Sequence, residues 1–145
     1  MSTIAPSARR SWAILNPNSQ RTSSLDELDA LISEFQSSSM IEWPELIDEL
    51  RRIRNYRDDW DGEGTESLDP ELVDGAIALA QDLNAEGIPS ANRVLAGVNR
   101  TLYFEWYATG GYREIEVSTL DHAELRIVPT GSKVADVFVL HRRTS

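Results

Sequence analysis

The chain contains no cysteine among its 145 residues. Disulfides, thiolate zinc sites and thiol nucleophiles are thereby excluded. A disulfide-stapled secreted scaffold goes with them, which points to the cytoplasm. No apolar stretch approaches the roughly 20 residues needed to cross a bilayer, and the N-terminus lacks the apolar core of a secretory signal. There is no Walker A or G-x-G-x-x-G sequence to cradle a nucleotide phosphate. No G-x-S-x-G elbow supports serine chemistry, and no segment repeats. Histidines are two, His122 and His141, and neither has a neighbour at metal or triad spacing.

Acid is missing from residues 1–24, which hold Arg9, Arg10 and Arg21 amid Ser, Asn and Pro. That composition predicts a flexible basic tail. Its Arg and Ser content also fits a transit peptide, but Pro6, Asn16, Pro17 and Asn18 interrupt an amphipathic helix. One apolar run, SWAIL at 11–15, is suited to docking on the body or on a partner.

The rest, 25–145, reads as one domain. Net charge is −10, and removing the three tail arginines from the 14 basic residues leaves 11 against 24 acids in the body. The acids crowd between Asp26 and Asp74. Such a body repels nucleic-acid phosphates and favours a basic partner.

Helical periodicity comes first. Ser24 and Glu27 form a capping-box pattern ahead of Leu25, Leu28, Leu31, Ile32 and Phe35. A second helix starts near Trp43-Pro44, with Leu46, Ile47, Leu50, Ile53 and Tyr56 on its apolar face. Arg51, Arg52, Arg54 and Arg57 are its basic cluster, placed to pair with nearby acids such as Asp48 and Glu49. A third helix is capped by Asp69, opens on Pro70, buries Leu72, Val73, Ala76, Ile77, Ala80 and Leu83, and stops at Gly87. From residue 92 the period changes to two. Residues 93–98, 101–107, 113–118, 124–128 and 134–140 predict five short strands. The expected fold is α+β: two or three N-terminal helices packed on one face of a four- or five-stranded antiparallel meander.

The densest chemistry is the loop at 58–68, where Asp58, Asp59, Asp61, Glu63 and Glu66 surround Trp60. A calcium loop starting at Asp59 would place Asp61, Glu63 and Gly64 at its third, fifth and sixth positions. It then fails, with Glu66 where an apolar residue belongs and Pro70 in place of the bidentate glutamate. A tight turn explains the same residues: Gly62 and Gly64 supply unusual backbone angles, Asp61 bonds its own backbone, and Trp60 plugs the core. Asp59, Asp61 and Glu63 remain the candidate ligands for any divalent metal.

The sheet offers the other candidates. Glu105, Glu114 and Glu116 alternate with apolar residues, as a solvated sheet face does. A carboxylate hydrolase would need Glu105 and Glu116 in one pocket. If Tyr103 and Tyr107 share that face, it becomes an aromatic, acidic surface suited to protein recognition.

The motif YRDDWDGEG at 56–64, the helix from Pro70, LYFEW at 102–106 and REIEV at 113–117 resemble a family of small bacterial proteins without an assigned activity. Its pattern is Trp-Asp-Gly-x-Gly, a helix bearing alanines, and a strand ending in Glu-Trp. The resemblance covers roughly 41–128 and implies a structural motif of Trp60, Asp61, Gly62, Gly64 and Trp106. Glu63 stands where that family often has an aromatic residue, and Thr65 where it often has Ala. The expected function is a non-catalytic acidic interaction module of an inhibitor, antitoxin-like or immunity-like kind. Its interaction surface comprises Tyr103, Glu105, Tyr107, Glu114 and Glu116. The expected partner is a basic protein; no catalytic residue, cofactor, nucleic acid or membrane is assigned. The oligomeric state is open.

Overall fold

The computed structural model describes residues 12–16, 21–24, 41–108 and 111–142. Seven strands form one antiparallel sheet: β1 (Trp12–Asn16), β2 (Arg21–Ser24), β3 (Arg93–Ala96), β4 (Leu102–Ala108), β5 (Gly111–Thr119), β6 (His122–Pro129) and β7 (Asp136–Arg142). Two helices are present among the described residues, α1 (Trp43–Arg54) and α2 (Pro70–Ala85). Strand order is β2-β1-β7-β6-β5-β4-β3. The last five strands make a meander, and β1 then adds beside β7 with β2 outside it. None of the described helices is long and apolar enough to cross a membrane.

This corrects the expected architecture. The sheet has seven strands rather than four or five, and it holds more of the described residues than the two helices do. The helix expected over 25–35 lies outside the described residues. The two extra strands come from the segment read as a flexible tail. Trp12 explains why. Its side chain is fully buried, its indole Nε1 donates to the Gly75 carbonyl at 3.0 Å, and its backbone N–H donates to Asp82 Oδ2 at 3.0 Å. Ile14, opposite Leu140, is buried beside it. Burying a tryptophan and an isoleucine offsets the entropy of ordering a strand next to β7.

Both helices follow from their residues. In α1, Pro44 starts the first turn and Trp43, Leu46, Ile47, Leu50 and Ile53 are buried along one stripe. In α2, the Asp69 carboxylate accepts from the Glu71 N–H at 3.0 Å, satisfying an otherwise orphaned donor. At the far end Ile88 N–H returns to the Leu83 carbonyl and Gly87 N–H to the Asn84 carbonyl, the paired closure of a Schellman turn. Gly75 is where α2 meets the sheet end. A Cβ there would lie 2.4 Å from the Leu120 carbonyl oxygen, so only glycine permits that approach.

The core lies between these helices and one sheet face. Leu102, Phe104, Trp106, Ile115, Val117, Ala123, Leu125 and Leu140 face it and are fully buried. Trp43 packs edge-on against both Phe104 and Trp106, at centroid distances of 6.0 and 6.2 Å. Strand alternation turns the intervening residues to the opposite, outer face, over which no described helix packs.

Candidate functional site: the outer face of the sheet

The outer face is built from register. On β4 and β5, Tyr103 is opposite Glu116, Glu105 opposite Glu114, and Tyr107 opposite Tyr112. On β5 and β6, Glu114 is opposite Arg126 and Glu116 opposite Glu124. Arg93 of β3 is opposite Glu105. Two glutamate pairs therefore face each other directly, an arrangement that repels unless compensated.

Compensation comes from arginine and tyrosine. Arg126 Nη1 donates to Glu114 Oε2 at 2.7 Å, while its Nη2 lies 2.7 Å from both Glu116 Oε1 and Glu124 Oε1. One guanidinium thus holds three carboxylates. Tyr103 donates its hydroxyl to Glu116 at 3.0 Å. Glu105 receives Arg93 Nε and the Tyr107 hydroxyl, each at 2.5 Å. The Tyr112 hydroxyl is 2.7 Å from Glu105 and 2.6 Å from Glu114. A phenol has one proton, so Tyr112 donates to one carboxylate at a time and links the two halves of the network. The Tyr107 and Tyr112 rings lie 5.3 Å apart, and the Arg93 guanidinium is 5.7 Å from the Tyr107 centroid, in cation–π range.

The network sets the protonation states. Burial raises the Glu105 pKa, but hydrogen bonds from Tyr107, Tyr112 and Arg93 outweigh it, and the carboxyl titrates below its ordinary value. Glu116 behaves alike: burial opposes, and Arg126, Thr101 and Tyr103 prevail. Burial and hydrogen bonding to Glu114 and Glu105 both push Tyr112 far up. Tyr107 rises through burial and its bond to Glu105. Arg126 rises too, its carboxylate partners overcoming burial. Glu105 and Glu116 are thereby held as carboxylates, Tyr107 and Tyr112 as neutral phenols, and Arg93 and Arg126 as charged guanidiniums. With four glutamates and two arginines, an excess of negative charge remains.

All five expected surface residues, Tyr103, Glu105, Tyr107, Glu114 and Glu116, share this face. Glu105 and Glu116 do not face one another: Glu105 is opposite Glu114, and Glu116 is opposite Tyr103 and Glu124. Both are held ionised, so neither carries a proton to donate as a general acid. Arg93, Tyr112, Glu124 and Arg126 complete the network and were not among the expected site residues. Trp106 lies on the core side, its indole donating to the Pro89 carbonyl at 2.9 Å.

The acidic loop is organised around its own backbone. Asp59 adopts a left-handed φ of 65°, and its carboxylate accepts from Gly64 N–H at 2.6 Å. Asp61 accepts from the N–H groups of Glu63 and Thr65 and from the Thr65 hydroxyl. Asp58 accepts from both the N–H and hydroxyl of Ser67. These bonds, led by Thr65 for Asp61 and by Ser67 for Asp58, lower both pKa values. Gly62 and Gly64 take positive φ, of 76° and 82°, as the tight turn requires. Glu63 is exposed. Among the described residues, no group of three or more His, Asp or Glu side chains is placed to hold a metal. Trp60 does not plug the core. It is half-buried and stacks on Tyr56 at 5.1 Å. Two α1 arginines pair within the helix, Arg51 with Asp48 and Arg52 with Glu49, while Arg54 reaches across to Asp74 of α2.

Comparison of the chain with protein-family models, curated proteins and solved structures returns no match.

Proposed function

We propose that the protein is a non-catalytic interaction module, acting in the cytoplasm, that offers the outer face of its sheet to a basic protein. The observation that carries this is the hydrogen-bonded array of Tyr103, Glu105, Tyr107, Tyr112, Glu114, Glu116, Glu124 and Arg126 on the sheet face over which no described helix packs. Its side chains are fixed by one another before any partner arrives, so little rotamer entropy is left to lose on binding. Tyr107, 42% exposed, is the aromatic that a partner meets first. Tyrosine and arginine are the residue types that dominate binding hot spots. Excess carboxylate on the face, within a chain of net charge −10, favours a cationic partner and steers its approach.

An inhibitor, antitoxin-like or immunity-like role fits a small acidic domain of this kind. Kinship with the small bacterial Trp-Asp-Gly-x-Gly proteins is proposed on motif alone and brings no activity with it. The loop carboxylates are spent on the turn, and the ionised glutamates suit recognition better than proton transfer.

Affinity capture tests the proposal. The wild-type chain is compared with Y107A/E114Q on the outer face and with D48A/R51A on α1. A basic protein retained by wild type and by the α1 variant, released by salt and lost with Y107A/E114Q, is the expected result. Capture that ignores the outer-face changes contradicts it.

A further inference from the structure

The chain has two histidines, and the fold puts them side by side. His122 opens β6 and His141 lies near the end of β7, and the strand register sets them directly opposite each other. The Arg142 N–H donates to the Asp121 carbonyl at 3.0 Å, one step along the same ladder. Since hydrogen-bonded and non-hydrogen-bonded pairs alternate, His122 and His141 occupy a non-hydrogen-bonded pair. That is where antiparallel partners approach most closely, with Cα atoms about 4.5 Å apart and Cβ atoms about 4.5–5.5 Å apart. Both side chains leave the sheet on the outer side, because their neighbours Ala123 and Leu140 are fully buried on the core side. His141 is exposed and His122 half-buried, so solvent reaches the pair. Neither imidazole is engaged by another side chain among the described residues.

We propose that His122 and His141 form a two-point chelate for a borderline transition-metal ion, of the class of Zn²⁺, Ni²⁺ or Cu²⁺. Imidazole is the ligand these ions share, and a zinc–nitrogen bond of about 2.0–2.1 Å lets one ion bridge two rings on so close a pair. Nearby carboxylates are committed elsewhere. Glu124, two residues along on the same face, is held by Arg126 at 2.7 Å. Asp121, in the turn, accepts from the Thr119 hydroxyl at 2.9 Å. The remaining coordination positions therefore fall to water, which makes this an exchangeable site rather than a closed structural one. The negative body raises the local concentration of cations around it. An ion held here fastens β6 to β7, so it stabilises the folded chain. It must also displace protons from imidazole, so acid weakens it.

The test uses the full chain without a histidine tag, titrated with zinc chloride and separately with nickel chloride. Calorimetry at pH 7.5 is expected to show one ion per chain, with a raised melting temperature. Binding is expected to weaken at least tenfold at pH 5 and in each of H122Q and H141Q. Both substitutions are at solvent-reachable positions, and melting without metal checks that the variants fold. Imidazole nitrogen NMR of the wild-type chain gives a second readout, in which both histidines shift together as zinc is added. No heat of binding, an affinity unchanged in both variants, or a shift confined to one histidine overturns the proposal.

Discussion

Trp43 and Trp106 hold neighbouring carbonyls of one short segment: Trp43 Nε1 donates to Ile88 O at 2.8 Å and Trp106 Nε1 to Pro89 O at 2.9 Å. The two rings also pack edge-on. The link from α2 to β3 is thus pinned from α1 and from β4 together, which aligns the helices with the half of the sheet that carries the Tyr107–Glu105 cluster. Replacing Trp106 by Phe keeps an aromatic ring but removes the donor to Pro89. The expected loss is about 1–3 kcal/mol, that of a carbonyl left without its partner. Urea unfolding measures it, and W43F should cost a similar amount through Ile88.

Gly75 brings the α2 backbone close against Leu120 at the sheet end. G75A is expected to destabilise by about 1–3 kcal/mol, although alanine is the better helix former. The new methyl meets the Leu120 backbone at 2.4 Å, and backbone yields less readily than a side chain. The shift also disturbs the Gly75 carbonyl that receives the Trp12 indole. Faster proteolysis near residue 12 should accompany the lower melting temperature.

The outer-face network predicts instability at both ends of the pH scale. Glu105 and Glu116 titrate lower in the folded chain than their ordinary value. Their contribution is complete above the unfolded value, about 4.3, and is lost as pH falls through the lowered folded value. Tyr112 titrates higher when folded. Its contribution is complete below the unfolded value, about 10, and is lost as pH rises beyond it. Y112F should flatten the alkaline limb of a melting-temperature profile, and E105Q should reduce the slope of the acid limb.

Among the described residues, Arg126 is the one cation that reaches Glu114, Glu116 and Glu124 together. R126M keeps the apolar stem and removes the charge. It should cost about 1–2 kcal/mol after solvent screening. Adding E116Q to R126M should recover part of that loss, because one uncompensated carboxylate is removed. A double-mutant cycle in urea measures the coupling.

What was legible in the sequence was local. The Trp43-Pro44 start, the Asp69-Pro70 cap and the Gly87 stop mark both described helices. Alternation from residue 92 located segments of β3 to β7, and it placed Tyr103, Glu105, Tyr107, Glu114 and Glu116 on one face. What was not legible depends on pairing at long range. β1 carries no periodicity of its own, and its neighbour β7 lies at the other end of the chain. Arg126 reads as one charged residue in a strand until register brings three glutamates to it. His122 and His141 become neighbours only through the β6–β7 ladder. Trp60 misled because a tryptophan beside glycines suggests a core plug, whereas Tyr56 offers it a stacking surface half in solvent.

The central claim, that the outer face of the sheet is the contact surface, is tested most directly by site-specific photo-crosslinking in cells. A benzophenone amino acid is placed at Tyr107 in one variant and at Arg51 on α1 in another. The account predicts a discrete crosslink to a basic protein from position 107 and none from position 51. Crosslinks of equal yield from both positions, or none from position 107 in chains that remain folded, would contradict it.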